Sequence, residues 1–462
     1  MQAIRRKFIG DRAFYRAVLA IAVPIMIQNG ISTFVNLLDN VMVGRVGTEP
    51  MSGVAIVNQL MFVYNLCIFG GLSGAGIFTS QYFGRGDRDG VRHTFRYKLW
   101  VACLLTAAAV ALFLLAGEAL ISSYLRGEAD VGDMGLALAH GQRYLRVMLL
   151  GLPAFMLSQV YTSTLRECSE TVLPMKAGIT AMLINLALNW VLIYGHLGLP
   201  AMGVAGAAAA TVIARWAELA IVLLWTHRHP GRCPWITGMY RTLRVPLDLV
   251  RRFFIKGAPL LLNEGLWSLG MALLNRCYSE RGLSVVAAFN ISSTITNLFN
   301  VVMITMGSAV AIMIGQLLGA GRIEEARRKD TWLIAFSIFL TTVMALLLIA
   351  LAPLFPRLYN TDEAVRSLAV AIMRTTALFM PMHAFLNSAY FTLRSGGRTV
   401  ITFIFDSGSI WLLSLPIAYA LVRLTDLSVV WIVALVSAAD LAKCVLGYVL
   451  LRRGVWAQNL VV

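Results

Sequence analysis

Residues Leu333–Ala352 read LIAFSIFLTTVMALLLIALA, twenty positions without a charge. At 1.5 Å of rise per residue, a helix of about twenty residues crosses the roughly 30 Å hydrocarbon core of a bilayer. Similar runs occupy Val101–Ala116, Ala177–Tyr194 and Trp431–Ala439, each inside a longer apolar window. Backbone groups in lipid must be satisfied within the segment, so these runs are helices unless they close into a barrel. The alternating ten-residue pattern of a barrel does not occur. Of the 462 residues 58% are apolar or aromatic and only 13% are charged, with a mean hydropathy of +0.74. A soluble fold of this size has too little interior to hide so much apolar side chain. A cytosolic enzyme, a nucleic-acid module and a disordered chain are thereby excluded, leaving an all-α polytopic membrane protein.

Twelve spans are predicted, near 15–38, 53–80, 96–116, 142–162, 173–194, 203–225, 254–275, 285–315, 332–352, 367–390, 400–421 and 428–450. The apolar run from Val18 continues past Leu38, so it is a spanning helix and not a cleaved leader. The net charge of +16 follows the positive-inside rule and is not a nucleic-acid signal. With the N-terminus inside, 27 of the 39 Lys and Arg fall on inner segments, nine on outer ones and three within spans. This predicts a multi-pass protein of the cell inner membrane with both termini cytoplasmic. His227–Lys256 is the longest polar stretch and carries Pro230, Pro234 and Pro246. It divides the chain into an N-terminal six-helix bundle over 1–230, a linker over 231–252 and a C-terminal bundle over 253–462. The six Cys stand singly, with no pattern for zinc, a redox pair or a disulfide framework.

The halves repeat one another. Ala22-Val23-Pro24 returns as Gly257-Ala258-Pro259, and Gln81-Tyr82-Phe83-Gly84-Arg85-Gly86 as Gln316-Leu317-Leu318-Gly319-Ala320-Gly321, both shifted by 235. Thr164-Leu165-Arg166 returns as Thr392-Leu393-Arg394, and Pro153 as Pro381, shifted by 228. Six spans is an even number, so the repeats are parallel, related by an axis along the membrane normal. Two such pseudo-symmetric bundles suit alternating access about a mid-membrane site. The Gly-x-Gly turns follow long helices and read as helix caps, since a phosphate loop needs a preceding strand and Gly-Lys-Ser/Thr. No HExxH, GxSxG or selectivity-filter sequence marks a membrane enzyme or channel.

With these landmarks in place, the chain resembles the multidrug and toxic compound extrusion (MATE) family across nearly its whole length. The residues that carry the likeness are Pro24-Ile25-Met26-Ile27-Gln28, then Leu38-Asp39-Asn40-Val41-Met42-Val43-Gly44, in the first span. Gln81-Tyr82-Phe83-Gly84-Arg85-Gly86-Asp87 ends the second, Asn185-Leu186-Ala187-Leu188-Asn189-Trp190 begins a motif running to Gly195 in the fifth, and Gly203-Val204-Ala205-Gly206-Ala207-Ala208 opens the sixth, which reaches Thr211. The resemblance implies a V-shaped pair of bundles. It also implies antiport of amphipathic, often cationic compounds against H⁺ or Na⁺, a monomer, and no cofactor beyond the coupling ion. The alternatives are a lipid-linked saccharide flippase of the same superfamily and a major-facilitator-type transporter.

A carboxylate at membrane depth is costly and marks a functional site by default. Asp39 is the leading candidate, and the bland alternative puts it in water at the outer helix end. In the family, positions corresponding to Asn185, Asn189 and Thr211 ring this Asp and offer a place for Na⁺, although many members carry a second Asp where Asn189 stands. Asn185 and Asn189, four apart, share a helix face. Glu264 resembles an acidic residue of the seventh span in the family and suits proton exchange. Some members of the family carry an Asp where Asn387 stands here, and Asp406 is expected to take its place. Gln28, Gln59, Asn290, Asn387 and Trp267 are expected to line the substrate path, and Pro24 and Pro259 to act as hinges. Met26, Tyr64, Phe155 and Tyr161 offer adaptable apolar and aromatic walls. Two further pairs, Arg215–Glu218 and Asp440–Lys443, stand three apart and are expected to neutralise each other.

Overall fold

The computed structural model describes residues 8–44, 48–125, 133–359 and 361–462, and the side chains of 36–41, 43, 44, 48 and 49 lie outside the described residues. The described residues form long helices and no strand. In chain order they are α1 Arg12–Gly44, α2 Thr48–Arg85, α3 Arg88–Leu125, α4 Met134–Glu167, α5 Val172–Tyr194 and α6 Val204–Arg228. The second six are α7 Leu247–Ser279, α8 Leu283–Gly319, α9 Ile323–Leu351, α10 Glu363–Ser395, α11 Thr399–Leu424 and α12 Val429–Arg452. Eleven of these are long and apolar enough to span a membrane. The exception is α7, whose apolar run is broken by Asn263 and Glu264. At 38 residues each, α2 and α3 exceed what a bilayer core requires, so their ends project beyond it.

Arg96 and Lys98, at the start of the span predicted over 96–116, lie inside α3 and are buried, Lys98 completely. Other parts of the same helix face outward: Leu115 is 89% exposed, as a lipid-facing side chain must be.

Helix ends follow local chemistry. The Asp133 carboxylate accepts from the backbone N–H of Gly135 (2.8 Å) and Leu136 (3.2 Å), capping α4. The Gly-x-Gly turns are indeed caps. Gly86 and Gly321 take φ of +79° and +73°, and Asp87 and Arg322 donate back to Tyr82 (2.9 Å) and Leu317 (3.0 Å). The helix ends after α4 and α10 repeat this motif at Ser169 (φ +65°) and Gly397 (φ +73°), again 228 apart. Pro24 and Pro259 lie inside α1 and α7, which continue through them.

Packing divides the chain into two compact units, one of Ile27–Thr79 with Arg88–Phe254, the other of Met1–Met26, Ser80–Asp87 and Ile255–Val462. In the first unit small residues let backbones approach, the usual device of membrane helices. A Cβ on Gly206 of α6 would lie 2.5 Å from the Leu192 carbonyl of α5, and one on Gly53 of α2 would lie 2.4 Å from that of Ala137 in α4. The second unit has an apolar cluster around Leu274, Ala288, Leu348, Ile372 and Ile432. Another cluster gathers Phe14, Val18, Met306, Leu333 and Trp456.

Candidate functional site

In the first unit, α5 and α6 build a directed chain of polar side chains. Asn189 Nδ2 donates to Asn185 Oδ1 (3.2 Å), Asn185 Nδ2 donates to Thr211 Oγ1 (3.1 Å), and Thr211 donates to the Ala207 carbonyl (3.1 Å). The spacing of four places both Asn on one face, as expected, and both are buried. The Tyr194 hydroxyl donates to the Met42 carbonyl (3.1 Å), fastening the end of α5 to the last turns of α1. Asp39 belongs to that part of α1, but its side chain lies outside the described residues. The arrangement offers amide and hydroxyl oxygens, ligands that suit hard cations.

A basic residue joins this half from an unexpected quarter. Arg166, part of the repeated Thr164-Leu165-Arg166 landmark, ends α4 and donates to Gln28 Oε1 of α1 (2.6 Å). Gln28 is buried, and Gly178 of α5 makes room for it, since a Cβ there would stand 2.6 Å from its Nε2. Nearby, Lys98 forms an ion pair with Glu167 and donates to Ser163 and Thr164, each at 3.3 Å.

In the second unit a denser cluster forms where α7, α11 and α12 meet. Asn263 Nδ2 donates to Asp406 Oδ2 (3.0 Å), and Lys443 Nζ stands 3.5 Å from Asp406 Oδ1. Asn263 is held in turn by the Ser407 hydroxyl, which donates to its Oδ1 (2.7 Å). Two π-helical turns, Ile404–Gly408 and Ile410–Ser414, interrupt α11 around these residues. Such turns re-aim side chains and often mark functional places. Glu264, half-buried, lies within electrostatic reach of Asp406 and of Arg394 at the end of α10. Asp440 pairs with His383 (3.5 Å) and Lys443 with Asp406, so the expected Asp440–Lys443 pair is replaced by two pairs to other helices. The Arg215–Glu218 pair forms as expected (3.0 Å).

The remaining candidates are scattered. Asn387 is half-buried and donates to the Met303 carbonyl (2.9 Å). Gln59, Asn290 and Trp267 are exposed.

A family model for MatE matches residues 24–191 and 259–420, which together are more than half of the chain and fall in both halves. The chain belongs to the MatE family. Among curated relatives, the multidrug resistance protein MdtK of Edwardsiella ictaluri is 26% identical over 409 residues, covering 88% of this chain and 87% of the relative. The multidrug resistance protein PmpM of Pseudomonas aeruginosa is 27% identical over 427 residues, 90% of this chain and 85% of the relative. A solved outward-facing MATE transporter of the MOP superfamily superposes with a TM-score of 0.84 at 20% identity, covering 98% of both chains. A MOP-superfamily transporter from Pyrococcus furiosus gives 0.85 at 21% identity over the same share of each. These structures establish the fold: a MATE-type assembly of twelve transmembrane helices in two related sets of six.

Sequence reasoning missed Arg166, Lys98, Asn263, Ser407 and Lys443 as members of these clusters. One signal was available in the MATE repeat. Gln28 and Asn263 are 235 apart, and Arg166 and Arg394 are 228 apart. Each half therefore brings an arginine from the end of its fourth helix toward the polar segment of its first, Arg166 to Gln28 and Arg394 to Glu264.

Proposed function

We propose that this MATE protein is a secondary antiporter that exports amphipathic, cationic compounds in exchange for H⁺ or Na⁺ by alternating access. The single observation that carries the reading is the presence, in a chain of this family, of polar or ionisable clusters at repeat-related places in both units. Burying such groups in spanning helices costs stability, so their presence marks a functional site by default. Curated relatives bearing the name multidrug resistance protein favour drug export over saccharide flipping.

In this reading Asp39 with Asn185, Asn189 and Thr211 takes up the coupling ion in the N-terminal lobe, 1–230. Glu264 and Asp406 answer it in the C-terminal lobe, 253–462, and 231–252 joins the two. Protonating or neutralising a buried carboxylate changes the preferred helix arrangement, and each pKa unit of difference between states is worth about 1.4 kcal/mol. A difference of two or three units biases a two-state rocking by roughly 10² to 10³-fold. Gln28, Gln59, Asn290, Asn387 and Trp267 line the substrate path, and Pro24 and Pro259 bend during the exchange. The positive-inside count supports a cytoplasmic side for both termini.

Efflux of a cationic dye from cells expressing the protein, with pH and Na⁺ gradients imposed separately, tests the reading. One gradient should drive export and the other should not. Efflux indifferent to both refutes ion-coupled antiport.

A further inference from the structure

Gln81 opens one of the repeated landmarks, yet ion coupling gives it no part. Its side chain is completely buried near the end of α2. Its Nε2 donates to the carbonyls of Ser395 (2.9 Å), the last residue of α10, and Gln458 (3.3 Å), and its Oε1 accepts from the Leu460 N–H (2.7 Å). The same C-terminal segment is held at further points. Arg398 Nε donates to the Val455 carbonyl (2.9 Å), Asn459 Nδ2 donates to the Gly319 carbonyl (3.3 Å), and Arg85 donates to the Val461 carbonyl. Trp456 and Val461 are buried. Gly396 and Gly397 leave the room: a Cβ on either would lie 1.7 Å from the Trp456 carbonyl or 2.5 Å from the Leu460 side chain.

Beside this strap the repeated turns meet backbone to backbone. A Cβ on Gly84 would lie 2.0 Å from the Gln316 carbonyl, and one on Gly319 would lie 1.9 Å from the Gln81 carbonyl. The contact is reciprocal, as a shift of 235 demands. All these residues belong to one compact unit. At this crossing α2 and α8 approach backbone to backbone, and the strap, held by Gln81 on one side and by Asn459 against Gly319 on the other, joins the two helix ends.

We propose that Gln81 is a positioning residue of the transport cycle. Its carboxamide clips residues 454–461 beside the α2–α8 crossing and keeps these two helix ends together, and the clip lets go when that end opens. The purpose rests on the alternating-access reading, whereas the clip can be tested without transport. Ser80, on the crossing and buried against Gly315, reports its state.

In purified full-length protein carrying Ser80→Cys, labelling of position 80 by a maleimide, mapped by peptide mass, should be slow. Adding Gln81→Leu, or ending the chain after Arg453, should accelerate it about 10 to 100-fold, the effect of losing two or three net hydrogen bonds. Gln81→Glu keeps volume and acceptor but loses both N–H donations, and it should also accelerate labelling. Cys168, buried in the other unit, serves as the folding control. Acceleration at position 80 with Cys168 still protected supports the clip. Unchanged labelling, or equal acceleration at both positions in every variant, overturns it. Dye efflux run alongside reads the cycle: a shifted apparent KM at unchanged expression accompanies a working clip, and a loss of efflux with labelling as expected indicts the transport reading alone.

Discussion

Glu264 is half-buried, within electrostatic reach of Asp406 and Arg394, in the helix whose apolar run it interrupts. Glu264→Gln keeps its shape and removes its ability to exchange a proton, so dye efflux should fall to the empty-vector level while membrane expression is retained; wild-type efflux would remove Glu264 from coupling. Glycine positions make a second claim at this scale. Gly319→Ala forces a methyl group against the Gln81 carbonyl and should lower stability by about 1–3 kcal/mol or more. Gly30→Ala, where a Cβ meets nothing within 4 Å, should be neutral or stabilise by up to about 1 kcal/mol through helix propensity. Thermal unfolding in detergent ranks the two, and equal midpoints would contradict the packing described.

Between elements, the most exacting contact is the Lys98–Glu167 pair that ties α3 to the end of α4, with the Lys98 side chain fully buried. Removing one partner strands a buried charge. Glu167→Gln should therefore cost roughly 3–5 kcal/mol, and Lys98→Met combined with Glu167→Leu should recover most of it. A single variant as stable as wild type would show that the pair is solvated. The linker offers a chemical test. Burial pushes the Cys233 thiol up to about 11, and the Cys168 thiol is raised for the same reason. Because the thiolate is the nucleophile, maleimide should leave both unlabelled in native protein at pH 7.5 and modify them on denaturation. Labelling of Cys233 should quicken only as the pH approaches its raised value. These contacts were illegible in the sequence because Lys98 and Glu167 are 69 positions apart and no local periodicity joins them.

At the scale of the molecule, the apolar runs, the charge bias and the repeat already dictated an all-helical membrane protein built twice over. Water excludes apolar surface and lipid excludes unpaired backbone, and both act on local sequence. The Asn185–Asn189 face was legible too, since helical periodicity alone brings residues four apart together. The partners that cross between helices were another matter. Lys443 chose Asp406 over Asp440, and Arg166 turned to Gln28. The C-terminal segment found Gln81 nearly four hundred positions away. Whether a given side chain meets a given neighbour depends on how helices cross, on which glycines let them approach and on where a π turn re-aims α11. Those are decided by the packing of the whole, which no local pattern of residues contains.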